Sequence, residues 1–531
     1  MECKWIIAAA AALLMAAPLA AQTAAPVPLA EDGPLPAVTT RHTLTLTDGS
    51  FPYRATWFEH VLNDSAGNPQ ATISATAYVR EGTRTAGAGR PVLFLFNGGP
   101  GASSSPLHMN GIGPKLLGAR DASGERTLES NPDTLLDVAD LVVIDPVGTG
   151  FSRPLRAGGG LPYWSGPGDA AAVLALVRGW LQREGRGQSP LIFVGESYGG
   201  YRLGLMARDM ADLNVAGLVL LSPALEMSQH ADQQAINALP SMAVAAWHHR
   251  KVADDARTAA EVWDQARTFA QDEYAAALQH GTALEPQQAR RIADRIAEML
   301  HLPGATILAA NLRVPVQQFL EQLVPGQIVG RLDTRVIAPL PPPAAMPDRP
   351  VAANDPALGL GRSNVIASAP IGRYLRENLR VPTKRPYHSL TLDVNFAWDF
   401  RLADPRPPFT INVADYLGDL LKARPEARLL VYGGYHDLAT PALATRHGIT
   451  HSRVPLERVE FSFSANGHSV FEGTGRSASA ARLRRFLAAI VGREKGLIAL
   501  TQPALRAGSS GDLAVLRLPV DLTAADLAQP K

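Results

Sequence analysis

A serine between glycines, in Gly195-Glu196-Ser197-Tyr198-Gly199, directly follows the apolar run Leu191 to Val194 and precedes a helix expected from near Tyr201. On a sharp strand-to-helix turn such a serine is presented as a nucleophile, and the G-x-S-x-G pattern acquires meaning from that context. The glycines are a steric requirement, because the turn is tight and its neighbours must not crowd the serine. The same turn aims a helix N-terminus at the site, where backbone N–H groups meet a developing negative charge. A second glycine cluster, Asn97-Gly98-Gly99-Pro100-Gly101, ends the apolar run Val92 to Phe96. Glycines at the carboxyl end of a sheet strand let backbone approach a ligand closely. Gly99 and Tyr198 are the expected N–H donors of an oxyanion hole.

An acid and a base should follow the serine in that order. Of 13 histidines, His468 lies just beyond the run Val459 to Phe463, in Asn466-Gly467-His468-Ser469, where a base belongs. The preceding apolar run, Leu429 to Tyr432, leads into Gly433-Gly434-Tyr435-His436-Asp437. Asp437 is the acid that would fix the imidazole tautomer and balance its charge. The 31 residues from Asp437 to His468 leave room for one helix and one strand. His436 competes for the base, but it would have to act from the acid's own loop, and a solvated or hydrogen-bonded surface role is expected. His447 and His451 fall in the helix and loop between.

The elements that must position these groups are legible in the hydrophobic pattern. Thr43-Leu44-Thr45-Leu46-Thr47 alternates with period two, and Asp64-Ser65-Ala66-Gly67 reads as a hairpin turn. From Pro91 the apolar runs no longer alternate: Val92 to Phe96, Leu141 to Ile144, Leu191 to Val194 and Leu218 to Leu221. Strands buried on both faces of a parallel sheet read this way. Helical stretches such as Ala170 to Leu181 and Tyr201 to Leu213 lie between them, which predicts a doubly wound α/β sheet. After Pro223 the chain turns almost wholly helical, and Pro339-Leu340-Pro341-Pro342-Pro343 excludes regular helix or interior strand. Strand–helix rhythm returns with a helix at Asp415 to Leu421, the strands Leu429 to Tyr432 and Val459 to Phe463, and a helix at Ala480 to Val491. The expected organisation is a signal peptide over 1–21, an Ala/Pro-rich leader over 22–39, a core over 40–226 and 386–495, a mainly helical cap inserted over 227–385, and a tail over 496–531.

The signal peptide is read from Lys4, the apolar run Trp5 to Leu19 and the small residues Ala20-Ala21 before Gln22. That run is short for a membrane span. The protein is therefore expected to be exported, periplasmic or secreted, with no integral membrane segment after cleavage. Cys3, the only cysteine, would be removed, which excludes disulfides, a cysteine nucleophile and thiolate metal sites. With 50 basic and 49 acidic residues, nothing marks a nucleic-acid or anionic-membrane partner. There is no H-E-x-x-H and no phosphate-binding loop, so neither metal nor cofactor is expected. The expected partner is a peptide or small ester substrate, and no oligomeric state is read from the chain.

Four ordered segments resemble the serine carboxypeptidase family, more its bacterial branch than its fungal and plant branches. They are FNGGPGASS (Phe96 to Ser104), IDPVGTGFS (Ile144 to Ser152), GESYGGY (Gly195 to Tyr201), and GGYHDLATP (Gly433 to Pro441) together with Gly467-His468. The resemblance runs over about residues 40–495 and implies an α/β-hydrolase fold, a mostly parallel central sheet with a helical cap. It implies a carboxypeptidase acting through an acyl-enzyme, with Asn97, the Gly98 backbone and Glu196 holding the substrate's terminal carboxylate. A glutamate can play that part only if one of the facing carboxyl groups is protonated. Eukaryotic members carry a second glutamate in the helix after the oxyanion segment. Gly111 stands there in this chain, and the family's structural disulfides are absent. Asn395 and Trp398 resemble a patch near the site in the bacterial branch, with packing expected of the tryptophan. An esterase or acyltransferase on the same triad is the enzymatic alternative. A catalytically silent binding protein would have no reason to keep serine, acid and base together.

Overall fold

The computed structural model describes residues 27–492, apart from 83–89, 121–125, 251–255, 342–354, 361–362 and 401–411. The expected signal peptide, most of the leader's first residues and the C-terminal tail fall outside the described residues.

The central sheet has nine strands: β1 (Val38–Leu46), β2 (Gly49–Asn63), β3 (Pro69–Arg80), β4 (Val92–Phe96), β5 (Asp140–Asp145), β6 (Leu191–Glu196), β7 (Val215–Leu221), β8 (Arg428–Gly434) and β9 (Val459–Ser464). Their spatial order is β1-β2-β3-β5-β4-β6-β7-β8-β9. The first three strands and the β3–β5 seam are antiparallel. From β5 to β9 every pairing is parallel. The two strand styles follow from burial. β1 leaves alternate residues in water, whereas all five residues of β4 are buried. Along β4, Val92, Phe94 and Phe96 pack into one core layer while Leu93 and Leu95 pack into the other. A strand with an apolar layer on both faces has no polar positions to alternate with.

Helix α1 (Gly166–Glu184) starts where the Ser165 side chain accepts from Gly168 N–H and stops at Gly185, whose φ of 63° is left-handed. It buries Trp180 edge-on against Phe94 of β4. Helix α2 (Tyr198–Ala207) starts three residues earlier than the pattern predicts and ends sooner. Its glycines do not break its first turn; they allow it to seat. A Cβ on Gly199 would lie 2.8 Å from Phe96 O, and one on Gly200 would lie 2.5 Å from Pro223 Cβ.

Between β7 and β8 the chain runs through α3 (Ala231–His248), α4 (Ala259–Phe269), α5 (Pro286–Leu300) and shorter helices. Thr258 and Glu261 form a reciprocal capping box at the start of α4. These helices share their own apolar core around Trp263, Phe269 and Ile296, joined to the sheet through Tyr435, Leu438 and Phe463. Further on, Ile371, Tyr374 and Leu375 return to a core layer of the main sheet. The strand His388–Thr391 bridges Gly150 and Ala102, so this segment lies against both glycine-rich loops. Helices α6 (Ala414–Ala423), α7 (Ala442–Thr450) and α8 (Arg476–Val491) complete the layers around β8 and β9. Among the described residues, no helix is long and apolar enough to cross a membrane.

Candidate active site

In a parallel sheet the loops after each strand emerge at the carboxyl end, and here four of them converge. Ser197 follows β6 with φ 61° and ψ −128°, a backbone conformation a non-glycine residue seldom adopts. Such strain costs on the order of 1–3 kcal/mol and persists only when surroundings over-determine it. The surroundings are specific: Ser197 N–H donates to Leu221 O at 2.9 Å, and Ser197 O accepts from Gly200 and Ala224 N–H. A Cβ on Gly195 would fall 2.4 Å from Gly199 O, which leaves glycine as the residue that fits.

Asn97, Gly98 and Gly99 follow β4 and lie directly alongside the serine turn. A Cβ on Gly98 would be 2.4 Å from Tyr198 N and 2.9 Å from Glu196 O, so the two backbones run in contact. Gly99 has φ +103°. Tyr198 opens α2, so its N–H belongs to the first turn, where no intrahelical carbonyl is available. The candidate oxyanion donors, Gly99 and Tyr198, thus sit on adjoining backbone beside Ser197. The loop is held rigidly from below. Asn97 O accepts from Arg202 Nη1 at 2.6 Å, and Arg202 Nε is paired at 2.6 Å with the buried Asp169. Ser104 N–H donates to Asp145 Oδ1 at 2.9 Å, and the Tyr387 hydroxyl donates to the same oxygen at 3.2 Å. Burial pushes the Asp145 carboxyl up to about 6, against the lowering effect of those bonds and of Arg153.

Asp437 follows β8 and His468 follows β9. His468 Nδ1 is 2.7 Å from Asp437 Oδ2. A carboxylate only accepts, so Nδ1 carries the proton and Nε2 keeps a free lone pair. Asp437 is fully buried, and its Oδ1 accepts from Ala439 and Thr440 N–H at 2.8 and 3.0 Å. The Thr440 hydroxyl lies 2.7 Å from Asp437 Oδ2 and 2.8 Å from Ser222 O. Ser222 follows the Leu221 carbonyl that receives Ser197 N–H, so Asp437, through Thr440, and Ser197 are tied to one stretch of backbone. Burial works against the imidazolium of His468, but the charge and hydrogen bond of Asp437, together with Glu196, outweigh it and the pKa stands above its ordinary value.

Glu196, next to Ser197, is buried, not solvent-facing. Asn97 Nδ2 donates to its Oε1 at 2.8 Å, and the amide's orientation is set because Asn97 Oδ1 accepts from Leu107 N–H at 3.2 Å. Glu196 Oε2 is buried and has no hydrogen-bond partner among the described residues. Burial, helped by Glu472 and Asp437 and opposed by His468 and the Asn97 bond, pushes this carboxyl up to about 8. Below that pH Glu196 is neutral. Because Oε1 is already an acceptor, its proton belongs on Oε2.

With this geometry in place, the sequence can be set beside known proteins. Residues 78–277 match the model of the serine carboxypeptidase family. The chain is a serine hydrolase, and its fold is that of the α/β-hydrolases. It is similar in structure to Kex1(Δ)p, a prohormone-processing carboxypeptidase from Saccharomyces cerevisiae, with a TM-score of 0.50 and 13% identity over 82% of this chain and 91% of that one. Weaker likenesses are the peroxisomal α/β-hydrolase Lpx1 of the same yeast (TM-score 0.37, 11% identity, 91% and 94% covered) and a proline iminopeptidase from Mycobacterium smegmatis (TM-score 0.30, 14% identity, 85% and 97% covered). No curated protein matches the sequence.

In this serine hydrolase the histidines outside the triad candidates are differently placed from expectation in one case. His436 is buried, not at the surface: its Nδ1 is 2.9 Å from Thr334 Oγ1, and burial pushes its pKa down to about 3. Residues after β8 turn inward under the helices, which covers the ring. His447 lies in α7 and stacks on His451 at 3.9 Å. Trp398 packs edge-on against Tyr198 at 5.2 Å, as expected of a packing residue. Asn395 is buried with Nδ2 unpartnered among the described residues. Among those residues no cluster of His, Cys, Asp and Glu is arranged to hold a metal. The sequence reading missed Thr440, Arg202 and Asp169, which hold the loops of the candidate site. Thr440 stood in plain view three residues after Asp437, whereas nothing in the spacing marks the buried Arg202–Asp169 pair.

Proposed function

We propose that this serine hydrolase is a carboxypeptidase that releases residues from peptide C-termini through an acyl-enzyme. Ser197 Oγ attacks the last peptide carbonyl as His468 Nε2 takes its proton. Gly99 and Tyr198 N–H groups receive the oxyanion, and Asp437 holds the imidazolium. His468 then gives its proton to the leaving amine, the terminal amino acid departs, and water repeats the sequence on the acyl-enzyme. The helical insertion shapes access to the site. The observation that carries the choice of peptide terminus over simple ester is Glu196. A neutral carboxyl, buried next to the nucleophile with its proton-bearing oxygen unpaired, is a donor waiting for an anion. Asn97 Nδ2 and the Gly98 backbone complete the seat.

The test compares one peptide with a free and an amidated C-terminus. Amidation removes one partner of a charge-assisted contact worth roughly 1.5–3 kcal/mol, so kcat/KM should fall about tenfold to a hundredfold. The preference has a pH sign. Below about 8 Glu196 donates to the substrate carboxylate; above it the ionised group repels that carboxylate. The free-acid preference should therefore fade as pH rises through this region, and Glu196→Gln should flatten that fade while keeping a donor. Equal rates on both peptides at every pH would overturn the carboxypeptidase reading and leave an esterase or acyltransferase.

Peptide substrates of this kind fit an exported enzyme. N-terminal sequencing of the secreted or periplasmic fraction is expected to start near Gln22, and an intact Met1 in the cytoplasmic fraction would contradict export.

A further inference from the structure

Within the cap, the short strands Gln327–Val329 and Ile337–Pro339 pair antiparallel, and the residues between them form a hairpin tip. That tip bonds to the two loops that carry Asp437 and His468. Leu438 N–H donates to Arg331 O at 2.9 Å, and Thr334 N–H donates to His436 O at 3.0 Å, so the tip holds the residues on both sides of Asp437. The Thr334 hydroxyl adds a contact with His436 Nδ1 at 2.9 Å. His468 N–H itself donates to Leu332 O at 2.7 Å. Packing is as close as bonding: a Cβ on Gly467 would lie 2.7 Å from Asp333 Cγ. The acid and base loops also bond directly, His436 N–H to Asn466 O at 3.0 Å, but that tie precedes Asp437 and His468 in their loops.

The conformation of the tip is set by a buried carboxyl group. Asp355 Oδ2 accepts from Arg331 N–H at 3.1 Å and from Leu332 N–H at 2.8 Å, and its Oδ1 accepts from Ala357 N–H at 2.9 Å. Arg331 and Leu332 are the residues whose carbonyls receive Leu438 and His468 N–H. Further along, His249 Nε2, just after α3, donates to Thr334 O at 2.6 Å. Arg335 is clamped on Asp333 by Nε at 2.9 Å and Nη2 at 2.7 Å, and its Nη1 donates to Ala465 O at 3.0 Å.

We infer that residues 331–334 of the cap are a splint that sets the distance between Asp437 and His468, and that Asp355 is the positioning residue that holds the splint in shape. This rests on Asp437 and His468 as acid and base, and it gives the cap a part in catalysis besides access. The 2.7 Å contact between His468 Nδ1 and Asp437 Oδ2 requires both loops to be fixed to a fraction of an ångström. A misplacement of about 1 Å costs on the order of a hundredfold in rate. Loss of the Asp355 carboxyl leaves Arg331 and Leu332 N–H without their acceptor, and the carbonyls on the same residues then no longer stand at fixed positions for Leu438 and His468.

Steady-state hydrolysis of a small activated ester tests this independently of the peptide terminus. Asp355→Ala is expected to lower kcat about tenfold to a hundredfold while KM stays within about threefold of wild type. Asp355→Asn can turn its amide oxygen to Arg331 and Leu332 N–H, giving up only the Ala357 bond, and is expected to recover most of that loss. Thr334→Val keeps the shape, removes the hydroxyl contact with His436, and is expected to lower kcat about threefold. Asp437→Asn is measured alongside: wild-type turnover in that variant removes the acid, and with it the reading on which the splint rests. With Asp437→Asn inactive, any of three results overturns the splint alone: wild-type kcat in folded Asp355→Ala, a loss carried by KM, or an asparagine variant as impaired as the alanine. If Asp355→Ala does not fold, Thr334→Val decides, and an unchanged kcat there overturns the splint.

Discussion

Ser197→Ala is expected to abolish covalent labelling by a fluorophosphonate and to lower ester and peptide turnover by roughly a million-fold, leaving a residual rate from binding and the oxyanion donors. The expectation rests on position rather than residue type. Ser197 is held at φ 61° by a bond from its own N–H to Leu221 O and by two bonds to its carbonyl. None of these uses the hydroxyl, so alanine keeps the turn and removes the attacking atom. The melting temperature should stay within a few degrees of wild type, which makes the loss a chemical one. Intact-protein mass spectrometry after probe treatment reads the result directly. Labelling that persists in the variant would place the nucleophile elsewhere.

The second large effect is expected from Asp437→Asn, about ten-thousand-fold in kcat with little change in KM. The direction follows from how the carboxylate is held. Oδ1 accepts two backbone N–H bonds, from Ala439 and Thr440, and these will keep the amide oxygen of an asparagine in that place. The amide nitrogen must then take the position of Oδ2, 2.7 Å from His468 Nδ1. Two donors cannot face each other, so the imidazole shifts its proton to Nε2 and Nδ1 becomes the acceptor. The nitrogen that should take the Ser197 proton is then already protonated. The variant should also lose the larger part of what raises the His468 pKa, the Asp437 charge and its hydrogen bond, so any residual activity should depend on pH at a lower value than in wild type. Stopped-flow acylation with an activated ester, followed across pH, measures both. Wild-type acylation in a folded Asp437→Asn protein would remove Asp437 from the mechanism.

The contrast between these residues and the buried Arg202–Asp169 pair marks how far the sequence reaches. The tight turn at Ser197 was legible because its geometry is written in the same five residues: Gly195 and Gly199 are there because any Cβ would strike neighbouring backbone. The buried strands were legible because a strand covered on both faces must be apolar throughout, as β4 is. Asp437 and His468 could be placed because each follows a recognisable strand, and strand order sets which loops emerge at one end of a parallel sheet. Even the helix after Ser197, where the boundary moved from Tyr201 to Tyr198, was misread only because glycines lower helix propensity and tertiary contact overrides that cost.

What only the tertiary structure decided concerns pairs far apart in the chain. Arg202 meets Asp169 and the Asn97 carbonyl; Asp145 meets Ser104; Thr440 bridges Asp437 and Ser222. Short-range pattern carries no record of such partners, because the side chains lie on different elements and meet only when the sheet is assembled. The same holds for charge state. Glutamate at 196 reads as an ordinary acid in sequence, and it becomes a neutral donor because folding removes its water and sets other carboxyl groups nearby. Residue types and their order along the chain determined which chemistry was available. The packing of four loops at one end of the sheet decided which groups are buried, which are paired, and that Glu196 Oε2 has no partner among the described residues.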